Sequence, residues 1–394
     1  MPLVHAMTSD RVRDRLLPTG EHAKPPDRSN TRTSSEPTGR YATLDGLRGV
    51  AAFGVLLMHA SALLDDKILH GAYLAVDLFF MLSGFVLAHA YDARLRQGLT
   101  LVGFMRLRVI RLYPLYALTT ALGAALALYA AARGWTEATT STLMLSLLLA
   151  VLFLPTPGGL VTGTFDVFPF NSPAWSLFWE LVANALYASL AKRLTNKVLV
   201  GLLCAGLIAM GLSLWEYGYF GGGAYSYDVW GGGARVLFSF FAGVGVWRLQ
   251  QAATLPAIRI PAPALLILLL MVLAVELAGP WRAVFDFGAV AIVFPALIYF
   301  GALSEPRALA AWICNVAGRA SYGVYVLQFP FIELLKLSYA KVTHHHLTGI
   351  GPLGVLAVCA LTVGVAIALD AFYDTPVRTY LTSRFVRRRL TVSA

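Results

Sequence analysis

The sequence predicts an all-α polytopic membrane protein of about ten transmembrane helices with both termini cytoplasmic. Three observations carry that expectation. Of 394 residues, 58% are hydrophobic and only 13% charged, where soluble domains carry roughly a quarter charged residues. Apolar runs recur at membrane-crossing length, and basic residues gather in alternate loops. A soluble globule with so little polar surface has no way to cover itself, so the apolar excess faces lipid. At about 20 residues per span, helices, short loops and tails use up the chain. That excludes a large soluble catalytic domain. Chemistry falls to residues inside or beside the membrane, where polar groups are costly and their positions informative.

Residues 1–40 are polar, rich in Pro, Ser and Thr, and have no apolar run. They read as a disordered cytoplasmic tail. No short apolar stretch with a small-residue cleavage site marks a signal peptide, so the first span serves as an uncleaved anchor. Apolar segments follow at 44–64, 72–92, 112–132, 142–155, 173–191, 197–214, 234–250, 262–279, 284–303, 320–340 and 350–372. Basic residues sit between them: Arg94, Arg96, Arg106, Arg108 and Arg111, then Lys192, Arg193 and Lys197, Arg248 and Arg259, Arg307 and Arg319. Holding all of these inside requires one segment not to cross, and 142–155, at about 14 residues, is the length of a re-entrant segment. The expected organisation is a membrane domain over 41–378 and a basic cytoplasmic tail over 379–394, placed in the inner or plasma membrane of the cell.

The net charge of +10, from 31 Lys and Arg against 21 Asp and Glu, follows from many cytoplasmic loops. It needs no nucleic-acid partner. Cys204, Cys314 and Cys359 lack metal or redox spacing and read as small core hydrophobes. The Gly-rich stretch at 217–233, where GGGA recurs, reads as a flexible loop of low complexity. The run His344-His345-His346 lacks cysteine or carboxylate partners, so no metal is expected. Nothing suggests two inverted halves of a transporter.

Polar residues within the spans mark the candidate site. Arg48 and His59 in the first span lie eleven positions apart, about 16 Å of rise and about 20° of rotation, so they share a helix face. Ala52, Val55 and Leu56 between them leave room for a narrow passage along that stripe. The plain alternative is a snorkelling arginine and a structural histidine. An apolar setting favours neutral His59, the form that accepts a proton as a general base. Depth arithmetic brings Asp77 and Glu180 to its layer as carboxylates able to orient it. Arg108 and Arg111, at i,i+3 ahead of Pro114, sit on one face of a short interfacial helix. They suit either anionic-lipid anchoring or the phosphates of a cytoplasmic donor.

Five stretches in order carry a family resemblance: Asp45-Gly-Leu-Arg48 followed by His59, Val76-Asp77-Leu-Phe-Phe-Met-Leu-Ser-Gly-Phe85, Arg108-x-x-Arg111 with Tyr113-Pro114, Ser172-Pro-Ala-Trp175-Ser-Leu-x-x-Glu180, and Ser321-Tyr322-Gly-Val-Tyr325. Together they resemble the acyltransferase-3 family of integral membrane O-acyltransferases. The resemblance implies transfer of an acyl group, usually acetyl, from cytoplasmic acyl-coenzyme A to a hydroxyl of a carbohydrate or glycolipid on the far side. It implies His59 and Glu180 as catalytic residues and Arg48, Arg108, Arg111 and Tyr325 as donor-binding residues; the depth arithmetic adds Asp77 as a third catalytic candidate. Besides acetyl-coenzyme A as donor substrate and membrane lipids, no cofactor or metal is implied. One departure is Gln328, where many relatives carry His; an amide cannot act as a base. His59 either deprotonates the acceptor or carries the acyl group itself. A transporter or flippase of a glycan precursor would use the same intramembrane charges as a pathway.

Overall fold

The computed structural model describes residues 41–64, 68–253, 258–345 and 347–385. The expected tail at 1–40, together with His346 and Arg387, Arg388 and Arg389, lies outside them. Helices build the fold, and no strand occurs among the described residues. In chain order they are α1 (Ala42–Ala60), α2 (Ala75–Arg96), α3 (Leu101–Ala132), α4 (Thr140–Val151), α5 (Ala174–Leu190), α6 (Asn196–Tyr217), α7 (Val229–Ala252), α8 (Ala262–Ala274), α9 (Pro280–Gly288), α10 (Phe294–Leu303), α11 (Ala308–Thr343), α12 (Gly351–Leu369) and α13 (Thr375–Phe385).

Among the described residues, seven helical stretches are long and apolar enough to cross a membrane: Ala42–Leu63, Ala72–Arg96, Leu101–Ala132, Asn196–Tyr217, Val229–Ala252, Pro280–Leu303 and Gly351–Phe385. The chain is an all-α polytopic membrane protein. Three expected spans fall outside that set, for different reasons. α5 has 17 residues and α8 has 13; α11, with 36, is long enough but carries Arg319, Gln328, Glu333 and Lys336.

α4, the segment expected not to cross, has 12 residues, a rise of about 18 Å against roughly 30 Å of hydrocarbon. A helix that stops short leaves its last carbonyls without partners. Here Ala150 and Val151 receive the Tyr116 and Tyr113 hydroxyls of α3 at 2.7 and 2.9 Å. α3 itself begins on Thr100, whose hydroxyl accepts from Gly103 N at 3.1 Å. It runs unbroken through Pro114, so the arginines stand on the spanning helix and not on the separate interfacial helix expected.

Missing side chains let the helices meet closely, as bundles in lipid require. A Cβ on Gly84 of α2 would stand 1.9 Å from the Phe240 carbonyl of α7, and one on Gly49 of α1 would stand 2.4 Å from Ala317 Cβ of α11. Gly46 likewise meets Cys314, so α1 and α11 run side by side in the same direction. This contact corrects one expectation. The stripe from Arg48 to His59 holds no passage, because Ala52 and Leu56 are buried against Ala320, Val324 and Leu327 of α11.

The Gly-rich stretch is not a flexible loop. Its second tetrad, 231–234, begins α7, where Gly232 and Gly233 accept the Trp175 and Trp179 rings of α5. Asp228 ties down the first, its Oδ1 accepting from Gly223 N and Tyr225 N at 3.0 and 2.9 Å and its Oδ2 from the Tyr219 hydroxyl. Burial and this carboxylate push the Tyr219 hydroxyl above its ordinary titration range. At the other end of the chain, α12 passes through a wide π turn, Asp370–Asp374, directly into α13. The boundary expected at 378 therefore falls inside continuous helix. Cys314 and Cys359 are buried, Cys204 is exposed, and all three are free thiols.

Candidate active site

α2, α3, α5 and α11, with α1 at one corner, enclose a cavity of about 190 Å³. Five of the seven residues chosen from sequence line it: Arg48, Arg108, Arg111, Glu180 and Tyr325. Arg108 donates from Nη2 to Glu180 Oε1 at 2.9 Å, and Ser83 Oγ donates to the same oxygen at 2.7 Å. Arg111 lies over the Tyr322 ring at 5.1 Å and 3.8 Å from Asp374. Arg48 is held by Asp45 one turn back at 3.3 Å. At the far end the Tyr325 hydroxyl meets Ser176 Oγ at 2.8 Å, and the Tyr325 ring packs edge-on against Phe79.

These pairs leave capacity unused. Arg108 Nε and Arg111 Nη1 are buried without a hydrogen-bond partner, a costly arrangement for a charged group unless a ligand completes it. The cavity thus has a cationic end with idle donors and a neutral end walled by Tyr325, Ser176 and Phe79.

The other two chosen residues stand apart. Asp77 does not reach His59; it is fully buried and paired with Arg235 of α7 at 2.6 Å, with Ser239 Oγ donating at 3.2 Å. Arg235 also donates to the Gly222 and Tyr73 carbonyls and lies over Trp175 at 5.5 Å. Glu180 is likewise engaged by Arg108. The expected pairing of His59 with a carboxylate is therefore not formed, because an arginine claims each carboxylate first. What stands beside His59 is Gln328, one turn of α11 beyond Tyr325. Gln328 is fully buried, its Nε2 donates to the Tyr325 carbonyl at 3.1 Å, and its Oε1, like His59 Nδ1, is buried without a partner. Sequence reasoning gave Gln328 no role and passed over Ser83, Ser176, Tyr322, Asp374 and Arg235. For Arg235 the signal was present: a charge one residue into an apolar segment.

No group of three or more His, Cys, Asp or Glu able to hold a metal occurs among the described residues. The arrangement suits a ligand that places anionic groups on guanidinium donors and extends a thin neutral arm toward Tyr325.

Comparison with known proteins bears on the same residues. The chain is 40% identical over 193 residues to "Protein 2 in picA locus" of Rhizobium radiobacter, covering 47% of this chain and all of that protein. It is 35% identical over 184 residues to "Acyltransferase MdmB" of Streptomyces mycarofaciens, covering 43% of this chain and 44% of that protein. No solved structure matches. The model of the acyltransferase-3 family, described as "Acyltransferase domain", matches residues 41–371. That span takes in the whole lining of the cavity, and the chain belongs to the acyltransferase-3 family.

Proposed function

We propose that this membrane acyltransferase moves an acetyl group from cytoplasmic acetyl-coenzyme A to a hydroxyl of a surface or exported carbohydrate, in the inner or plasma membrane. The observation that carries the reading is the cavity, with Arg48, Arg108 and Arg111 at one end and Tyr325 at the other, one turn of α11 from the Gln328 that stands beside His59. The donor's phosphates cannot enter hydrocarbon and would rest on the arginine end, which the positive-inside rule puts in the cytoplasm. Its thin, neutral pantetheine arm would lie along the cavity toward Tyr325.

His59 takes the proton of the acceptor hydroxyl as general base. The oxygen attacks the thioester carbonyl, the carbon–sulfur bond breaks, and the coenzyme A thiolate recovers the proton from His59. Gln328 is the polar side chain beside His59, where a carboxylate was expected.

The test is transfer of labelled acetyl into glycan by vesicles given acetyl-coenzyme A on one side only. His59→Ala should reduce the rate by about 10²–10⁴-fold while donor binding persists. Undiminished incorporation in that variant would remove His59 from the mechanism. Movement of an unmodified glycan across the vesicle without label would point to a transporter.

A further inference from the structure

A second cavity, of about 450 Å³, lies directly against the first and shares two of its walls, Arg108 and Arg111. Its opposite wall is α13, which contributes Thr375, Arg378, Thr379 and Ser383. Arg378 lies beyond residue 371, where the family match ends, in a stretch that reads in sequence as the edge of a basic tail. The π turn at Asp370–Asp374 is what aims it, because a π turn shifts the phase of the helix that follows, a device frequent at functional sites. α13 is held in place: the Arg106 guanidinium donates to the Phe385 carbonyl at 3.2 Å, and the Tyr373 hydroxyl reaches the Pro114 carbonyl at 3.3 Å.

Every charged group facing this cavity has a definite place. Asp374 bridges Arg111 and Arg378 at 3.8 and 3.1 Å, Asp370 reaches Arg378 at 3.3 Å, and Glu180 holds Arg108. The carboxylates therefore fix three guanidinium groups around one space: Arg378 also donates to Thr375 Oγ1 at 3.0 Å and to the Asp374 carbonyl at 3.3 Å, while Arg108 Nε keeps no acceptor and Arg111 Nη1, 3.8 Å from Asp374, lies beyond hydrogen-bond distance. Hydroxyls of Thr379 and Ser383 lend their protons to carbonyls of their own helix and can rotate toward a ligand. The volume is that of a small-molecule site.

We infer that this outer cavity is a phosphate-binding subsite in which Arg378 supplies a third guanidinium, and that it receives the phosphorylated nucleotide head of the donor while the inner cavity takes the arm. The assignment of the phosphate to a donor rests on the function proposed above; the site itself does not. A lipid phosphate offers the same chemistry, so the experiment separates the two sources.

Purified full-length protein in discs of neutral lipid is titrated with adenosine 3′,5′-bisphosphate, which has the phosphates of the donor and no arm. Arg378→Ala should weaken binding about ten- to hundred-fold, the loss of a charged hydrogen bond, and Arg378→Lys should recover part of it. Thr379→Ala, which disturbs no ion pair, should weaken it a few-fold and guards against a folding defect in Arg378→Ala. Equal affinity in all variants overturns the subsite. Nucleotide binding that ignores Arg378, with Arg378-dependent retention of phosphatidylglycerol in mixed discs, overturns the donor assignment. Arg378-dependent nucleotide binding in a protein that transfers no acyl group would uphold the subsite and defeat the proposed reaction.

Discussion

Two arginine–carboxylate pairs inside this bundle, one with aspartate and one with glutamate, serve opposite ends. Asp77 and Arg235 are sealed between α2 and α7, with side-chain exposures of 0% and 3%. Four further contacts, from Ser239 and to Gly222, Tyr73 and Trp175, occupy what the pair leaves over. Arg108 and Glu180 have exposures of 14% and 16% and face a cavity, with Arg108 Nε idle. The first pair has nothing left to offer a ligand and can only hold helices together. The second is held firmly enough to stay in place and incompletely enough to bind. Saturation of hydrogen-bonding capacity, more than charge or depth, separates a structural ion pair from a working one in a low-dielectric interior.

The largest expected effect tests the sealed side. Asp77→Ala leaves Arg235 buried without its counter-charge and should destabilise the protein by about 3–5 kcal/mol, read as lost thermal stability in detergent. A variant that keeps its stability but loses acyl transfer would break the comparison and return Asp77 to the chemistry. Next, Arg108→Ala should raise the donor concentration needed for half-maximal rate about ten- to hundred-fold, about 1.5–3 kcal/mol, with a stability loss well below that of Asp77→Ala. Donor dependence unchanged in steady-state kinetics would make both pairs structural. The smallest effect sharpens the neutral end: Tyr325→Phe removes only the hydroxyl that meets Ser176 and should cost about 0.5–1.5 kcal/mol, divided between stability and rate when both are measured on the same preparation.

Much of this was legible before any coordinates. Composition gave the all-helical membrane architecture, and the short apolar run at 142–155 gave a helix that stops midway. Arg48, Arg108, Arg111, Glu180 and Tyr325, each picked out by a motif, line one cavity. Depth along a helix can be computed from residue number, whereas the direction a side chain faces depends on which neighbour packs there. That is why Asp77, at a suitable depth, turned to Arg235 and not to His59. The closed stripe on α1 has the same origin: Gly46 and Gly49 invite α11 to lie against it, and an approach of that kind leaves no periodic signature. Arg378 stayed hidden because it is the last residue of the expected membrane domain, past every motif, and a π turn is written in no motif. Gln328 was visible as a departure from the family pattern, but its place beside His59 required the parallel register of α1 and α11.

The shared wall between the two cavities has a thermodynamic consequence. Arg108 and Arg111 border both spaces, so a ligand that draws either guanidinium toward one cavity alters the free energy of occupying the other. Linkage requires that influence to be reciprocal: the factor by which an occupant of the outer space tightens or loosens the inner one equals the factor in reverse. Two half-ligands given separately would therefore bind with affinities whose product differs from that measured when both are present. The size of that difference would express, as one number, how far two adjoining hollows behave as a single receptor.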